Sequence, residues 1–313
     1  MAAQKSSGLR RARLGVDVGL TNTDLVLLAP EAEPRHFTLP SLGRMGMDEL
    51  AHILDQLDLR AGQFESIHIT GGQTKTLPDA LAGTPLIKVG EMEAIGRGGL
   101  YLAQHEAALA QHEAALAQHD AALVVSAGSG TAMVSARMPN GPASLVAQHV
   151  TGTAVGGGTL QGLAGLLLGT TDALAINALA EQGNANGVDL TLLEATGGAI
   201  GHLPADANAV NFGKVARMGP DWHVRREDIA SGLVRLVSQV IAVIAINAAK
   251  AEQLPHIVVI GHLADLTSVR KVLAAVAGYY DAKIVVPVNP GYGTAMGAVL
   301  SGLDIDPARS SLR

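Results

Sequence analysis

The residues of this chain that could do chemistry cluster at turns where glycine follows a strand. Asp17 lies in GVDVGLTNTDLVLL (15–28), where a short apolar strand meets a Gly-Leu-Thr-Asn turn and a second apolar strand follows. A carboxylate in such a strand is costly to desolvate unless paired, and a metal ion held by a bound phosphate is one natural partner. The plainer alternative is a hairpin whose acid points to solvent, since alternation sets Asp17 on the face opposite Val16 and Val18. The turn in VDVGLTNT has three relatives, HITGGQTK, VVSAGSGTAM and VVIGHLAD. Glycine after a strand lets backbone approach a ligand closely, and exposed amides there suit anions. In QHVTGTAVGGGTLQGLAGLLL (148–168), Gly156, Gly157 and Gly158 lead into an apolar helix whose first amides and dipole would favour a phosphate. The alternative is a flexible loop, and no Gly-Lys-Ser/Thr follows to make it a Walker A loop.

Strand-like runs at 14–18, 25–29, 66–70, 122–126, 131–135, 256–260 and 283–287 alternate with helical stretches and would position these turns. That order predicts α/β layers. Between them, AQHEAAL, AQHEAAL and AQHDAAL repeat over 103–123. The spacing predicts one long helix with an alanine stripe (Ala103, Ala107, Ala110, Ala114, Ala117) and His105, His112 and His119 about 10 Å apart along one face. That is too far for a shared metal, so a duplicated surface helix facing a partner subunit is expected instead. Residues 170–227, with Gly, Asn and Asp clusters and the single Trp222, read as an inserted lid or dimer element. A second α/β unit completes the chain from 228 onward.

Composition narrows the classes. The 313 residues are 48% hydrophobic, enough for one large or two medium cores. A net charge of −6, with basic residues clustered only at Arg10, Arg11 and Arg13, argues against nucleic acid. No cysteine is present, which excludes disulfides and thiolate chemistry. Residues 1–13 are polar and basic, read as a flexible tail without the apolar core of a signal peptide. The longest apolar stretch, Leu236 to Ala249, is interrupted by polar residues and reads as a buried helix, giving a soluble, cytoplasmic protein with no membrane partner.

In order and spacing, the two glycine-turn hairpins resemble the phosphate loops of the actin-like ATPase and sugar-kinase superfamily. Nearly the whole chain, from about 14 to 302, resembles its type II pantothenate kinase branch. The resemblance rests on ITGGQ (69–73), VGEMEAIGRGGLYL (89–102), SAGSGTAM (126–133), HVTGTAVGGGTLQGLAGLLL (149–168), DANAVNFGKV (206–215), IVVIGHL (257–263) with RKVL (270–273), and GTAMGAVL (293–300).

That resemblance implies a two-lobed α/β fold of the ribonuclease H-like, actin-like type. Its lobes would be 14–125, carrying the heptad helix 94–121, and 126–313, carrying the insertion. It implies transfer of the ATP γ-phosphoryl group to the primary hydroxyl of pantothenate, with Mg²⁺. The implied roles put Asp17 at the metal, Gly19, Leu20, Thr21 and Asn22 at one side of the phosphates, and Gly128, Ser129, Gly130 and Thr131 at the other. Gly156 to Gly158 become the helix-start anion site and Gly261 the adenosine-side turn. Glu91 becomes the general base, although Glu91 and Glu93 could equally favour a helix N-terminus by charge alone. Ser129 and His149 would join Glu91 at the acceptor. A homodimer and an acyl-CoA feedback ligand are further implications.

Three departures stand against a simple transfer of these roles. Asp24 replaces a phosphate-attracting lysine of the first turn, His149 replaces an arginine, and the heptads lengthen the helix beside Glu91. A histidine lacks the bidentate fork of arginine and is mostly uncharged at neutral pH. A different small hydroxylated acceptor, or a non-catalytic nucleotide- or coenzyme-A-binding regulator, therefore stays open beside pantothenate.

Overall fold

The computed structural model describes residues 12–30, 32–72, 74–110, 120–217, 219 and 223–301. Two mixed sheets follow one plan, an antiparallel meander with parallel strands added at its inner edge. In the first lobe the meander is β1 (Ala12–Val18), β2 (Asn22–Leu28) and β3 (Arg35–Pro40). β4 (Phe64–Thr70) adds parallel to β1, β6 (Thr84–Lys88) parallel to β4, and β5 (Ala80–Leu81) closes the edge. α1 (Met47–Gln56) brings Leu50, Ile53 and Leu54 to the core of Leu14, Val16, Ile67 and Ile69 on one face of this sheet. α2 (Glu91–Ala110) then leads out of the lobe.

In the second lobe the meander is β7 (Ala121–Ala127), β8 (Thr131–Arg137) and β9 (Val146–Thr153), with β12 (Ile257–Ile260) and β13 (Ile284–Val285) parallel to β7. Strand orders are β3-β2-β1-β4-β6-β5 and β13-β12-β7-β8-β9, with β10 (Leu190–Thr191) and β11 (Asn208–Val210) pairing apart. Four successive residues of β12 are buried, as a central parallel strand covered on both faces requires. The covering layer is α3 (Gly157–Leu168), α4 (Ala173–Gln182), α6 (Arg226–Ala251) and α7 (Thr267–Tyr279), with the short α5 (Leu192–Thr196) outside it. Among the described residues α6 alone is long and apolar enough to cross a membrane, and its Leu233, Val237, Ile241 and Ala245 lie in the lobe's own core.

The last helix, α8 (Gly293–Leu300), returns to the first lobe and crosses both β1 and α2. Gly15, Gly98 and Gly297 make that crossing close: a side chain at Gly98 would meet the Gly293 carbonyl oxygen, and one at Gly297 the Ala94 carbonyl oxygen. Glu91, at the start of α2, is thereby held against both lobes.

Several expectations need correction. β1 begins at Ala12, so the tail ends before Arg13, which pairs with Glu65 at 3.0 Å. β7 begins at Ala121 and bonds to β8 and β12, so the chain changes lobe before residue 121, and the expected end of the heptad helix at 121 falls inside a strand. Residues 111–119, with His112, His119, Ala114 and Ala117, lie outside the described residues, as does Trp222. Within 170–227, α4 packs into the lobe core through Ile176 and Ala180.

Candidate active site

Between the lobes lies a cavity of about 690 Å³ that takes in the ends of β1, β7 and β12. Asp17 stands at the end of β1, opposite Asp24 on β2 and Thr70 on β4, and the Thr294 hydroxyl at the head of α8 donates a hydrogen bond to it. Burial, then the charges of Asp24 and Glu91, push the Asp17 carboxyl up to about 7, against a smaller downward pull from His262.

Each glycine turn folds by one internal bond. The Gly19 N–H donates to the Asn22 carbonyl at 3.0 Å and the Gly128 N–H to the Gly130 carbonyl at 2.9 Å. The amides of Leu20, Thr21, Ser129 and Gly130 then have no backbone acceptor among the described residues. The two turns face one another, with Thr21 Oγ1 and Ser129 Oγ 2.7 Å apart. Gly19 to Asn22 and Gly128 to Gly130 all line the cavity.

The triple glycine acts otherwise than expected. The N–H groups of Gly157 and Gly158 donate to the carbonyls of Gly128 and Ser129 at 2.8 and 2.9 Å, and that of Gly156 reaches Thr159 Oγ1. These amides hold the second turn and are not available to an anion. Small size matters here, since a side chain at Gly156 would meet the Ser129 carbonyl oxygen at 2.6 Å. Gly156 is absent from the cavity wall, as is Thr131, whose hydroxyl donates to the Val155 carbonyl and so braces the same joint.

Glu91 lines the cavity, and its carboxylate makes no hydrogen bond or ion pair with a described residue. Its neighbour in the Glu-x-Glu pattern is engaged: Glu93 accepts from Arg97 at 3.1 Å and from Ser301 at 2.8 Å. The two acids therefore separate into one free and one structural. His149 is exposed on edge strand β9 and does not line the cavity. The β8 ladder pairs Met133 with Thr151 and Val134 with His149, skipping Val150, so a bulge intervenes between His149 and the glycine segment. His149 shares a face with Ala147, which lies against Gly96 of α2.

Gly261, after β12, has φ +97°, and a side chain there would meet the Ala127 carbonyl oxygen. Beside it is a residue that motif reading passed over. His262 Nε2 lies 2.8 Å from Asp24 Oδ1 and its Nδ1 2.6 Å from Asp265 Oδ2. Burial alone would lower its pKa, but the hydrogen bonds and charges of the two carboxylates override this and push it up to about 10. Part of the cavity wall is also new: Leu160, Gln161, Asp172, Leu263 and Leu266 line a partly apolar recess, with Asp172 capping α4 through the Leu174 N–H at 2.9 Å.

A profile of the Fumble family matches residues 31–301. The chain belongs to that family, the type II pantothenate kinases. Among similar Fumble relatives, the type II pantothenate kinase of Oceanobacillus iheyensis is 28% identical over 290 residues, covering 92% of this chain and 99% of that protein. The type II pantothenate kinase of Bacillus cereus strain ZK / E33L is 25% identical over 289 residues, covering 92% and 96%. In fold, the chain is similar to the activator of 2-hydroxyisocaproyl-CoA dehydratase from Clostridium difficile with bound ADPNP (TM-score 0.58, 15% identity, 92% and 93% covered). It is also similar to a ROK family glucokinase from Streptomyces griseus in complex with glucose and AMPPNP (TM-score 0.52, 13% identity, 92% and 98% covered). The architecture is therefore the two-lobed actin-like ATPase fold, and the described cavity of this Fumble-family chain is its interlobe cleft.

Proposed function

We propose that this chain is an ATP-dependent kinase that transfers the γ-phosphoryl group to the primary hydroxyl of pantothenate, an entry step to coenzyme A. The observation that carries the reading is the meeting of Thr21 and Ser129 from opposite lobes, over a cavity that also holds Asp17 and a Glu91 with no hydrogen-bond partner among the described residues. Family membership supports it. The amides of Leu20, Thr21, Ser129 and Gly130 would hold phosphate oxygens, and Glu91 would accept the proton of the attacking hydroxyl.

The donor set suits Mg²⁺, which takes oxygen ligands, keeps several waters and uses one or two carboxylates beside substrate phosphates. Asp17 would hold it, with the Thr21 and Ser129 hydroxyls nearby; among the described residues no cluster of three or more His, Asp or Glu forms a closed metal cage. When bound, the ion would neutralise charge developing between the β- and γ-phosphates. The recess at Leu160, Asp172 and Leu266 would take the adenosine. A cytoplasmic homodimer with acyl-CoA feedback completes the reading, the dimer supported by the exposed Leu166 and Leu174 on α3 and α4.

Purified protein with Mg-ATP and pantothenate, assayed for ADP release, tests this directly. Turnover with pantothenate supports the reading, and ATP binding without turnover on any hydroxylated acceptor favours a regulator. One observation favours a second acceptor class. Among the described residues no Lys or Arg lines the cavity, while Asp17, Asp24, Glu91 and Asp172 do. An uncharged hydroxylated acceptor would escape the repulsion a pantothenate carboxylate meets there, so an uncharged amide of the same alcohol belongs in the assay.

A further inference from the structure

The cleft is crossed by a second contact that differs in kind from the hydroxyl pair of the turns. Asp24, on β2 of the first lobe, is 6% exposed and accepts hydrogen bonds from the Thr38 hydroxyl at 2.6 Å and from His262, 238 residues further along the chain and in the second lobe. The imidazole is held at both ring nitrogens. Its other nitrogen is bonded to Asp265, the Tyr292 ring meets it edge-on at 5.5 Å, and Gly291 packs so closely that any side chain there would meet the Nδ1 atom. Tyr292 extends the joint to β3, with its hydroxyl 3.1 Å from that of Thr38 and its ring 4.6 Å from His36.

Among the described residues His262 is also the only basic side chain on the cavity wall, which carries four acidic ones. Both ring nitrogens are engaged by carboxylates, so it has no donor left for a phosphate. Its effect on a nucleotide must pass through what it holds. The Thr21–Ser129 contact is the opposite case. It joins two partly exposed residues at the cavity wall, in the space where a phosphate would lie between the turns.

We propose that His262 is a positioning residue: its bond to Asp24 is the fixed strap about which the lobes close on Mg-ATP, whereas the Thr21–Ser129 contact is the one that the nucleotide displaces. Asp24 sits just past the first turn on β2, and His262 just past β12 beside the second turn, so the strap sets how far apart the two turns rest. The anion that replaces a lysine in the first turn thus has its counter-charge, supplied from the opposite lobe.

The inference rests on the nucleotide-cleft reading, and one set of measurements separates the two. Asp24→Ala, His262→Ala and the double variant are titrated with Mg-ATP at equilibrium and assayed for ADP release with the best acceptor. Each single variant is expected to raise the Kd for Mg-ATP about tenfold while kcat falls no more than about threefold, and the double variant to match the worse single one within about twofold. Asp24→Glu, which keeps the charge, is expected to recover most of the affinity. Glu65→Gln, which loosens a surface pair far from the cleft, serves as control. Effects that multiply in the double variant, or a Kd within twofold of wild type in both singles, overturn the strap. Wild-type protein that binds no Mg-ATP overturns the nucleotide reading itself. Should Asp24→Ala fail to fold by circular dichroism, Asp24→Asn takes its place in the cycle with the same outcomes.

Discussion

Thr21 Oγ1 and Ser129 Oγ lie 2.7 Å apart, one at the tip of the first-lobe hairpin and one at the tip of the second. Two hydroxyls that bond to each other across a cleft are two donors and acceptors already aimed at its centre. A triphosphate entering between them would exchange one short hydroxyl pair for several charge-assisted bonds. Losing one such bond costs about 1–2 kcal/mol, so Thr21→Ala and Ser129→Ala should each weaken Mg-ATP binding about tenfold in equilibrium titration. An affinity unchanged in both would mean that the phosphates lie elsewhere.

Glu91 supplies a sharper separation of binding from chemistry. It has no described bonding partner, whereas Glu93 is tied to Arg97 and Ser301. Glu91→Gln keeps shape and removes the proposed base, and is expected to lower kcat about 10²–10⁴-fold with Mg-ATP affinity within about threefold. Glu93→Gln should instead act on stability. Comparable kcat losses in the two variants would assign neither acid to proton transfer.

The glycine turns and the α/β alternation were legible in sequence because each is local: strand, glycine and helix start lie within about ten residues of one another, whereas Glu91 stood apart from Glu93 only through the family resemblance. β3 and β9 escaped, since RHFTLP and VAQHVTGT lie at or near sheet edges with half-exposed, polar positions and lack clean alternation. The task of the triple glycine was misread because the partners of its amides, Gly128 and Ser129, lie nearly thirty residues earlier. The Asp24–His262 bond spans 238 residues, and no spacing rule reaches that far. Asp24 alone looked like a lost cation; its meaning depends on which strand end from the other lobe arrives beside it.

Asp17 makes the cleft pH-dependent. Its carboxyl is raised from 3.8 to about 7, first by burial and then by Asp24 and Glu91. Between those values the folded protein retains a proton that the unfolded chain gives up, so stability of the ligand-free protein should fall as pH rises through this window and level off above about 7. A cation needs the ionised form, so Mg-ATP affinity should change the other way, rising toward pH 7 and flattening above it, with proton uptake by the buffer on binding at pH 6. Thermal unfolding and calorimetric titration from pH 5 to 8 read both slopes, and Asp17→Asn should abolish them. Slopes that survive in that variant would place the titrating group elsewhere.

The crossing of α2 and α8 links stability to the position of Glu91. A methyl group at Gly98 would fall on the Gly293 carbonyl oxygen, and one at Gly297 on the Ala94 carbonyl oxygen, so neither fits unless the helices part. Overpacking of this kind costs about 1–3 kcal/mol, a drop in Tm of roughly 2–6 °C for a chain of this size. Because α2 begins at Glu91 and α8 begins beside Thr294, the hydrogen-bond partner of Asp17, separating the helices moves the proposed base and the proposed metal ligand together. Gly98→Ala and Gly297→Ala are thus expected to lower kcat more than they raise the Kd for Mg-ATP, with the cavity turns Gly19–Asn22 and Gly128–Gly130 left in place. Gly278→Ala, on α7 where nothing stands within 4 Å of the added carbon, should change neither. A Tm loss without a kcat loss would mean that the crossing holds the fold together but does not aim Glu91.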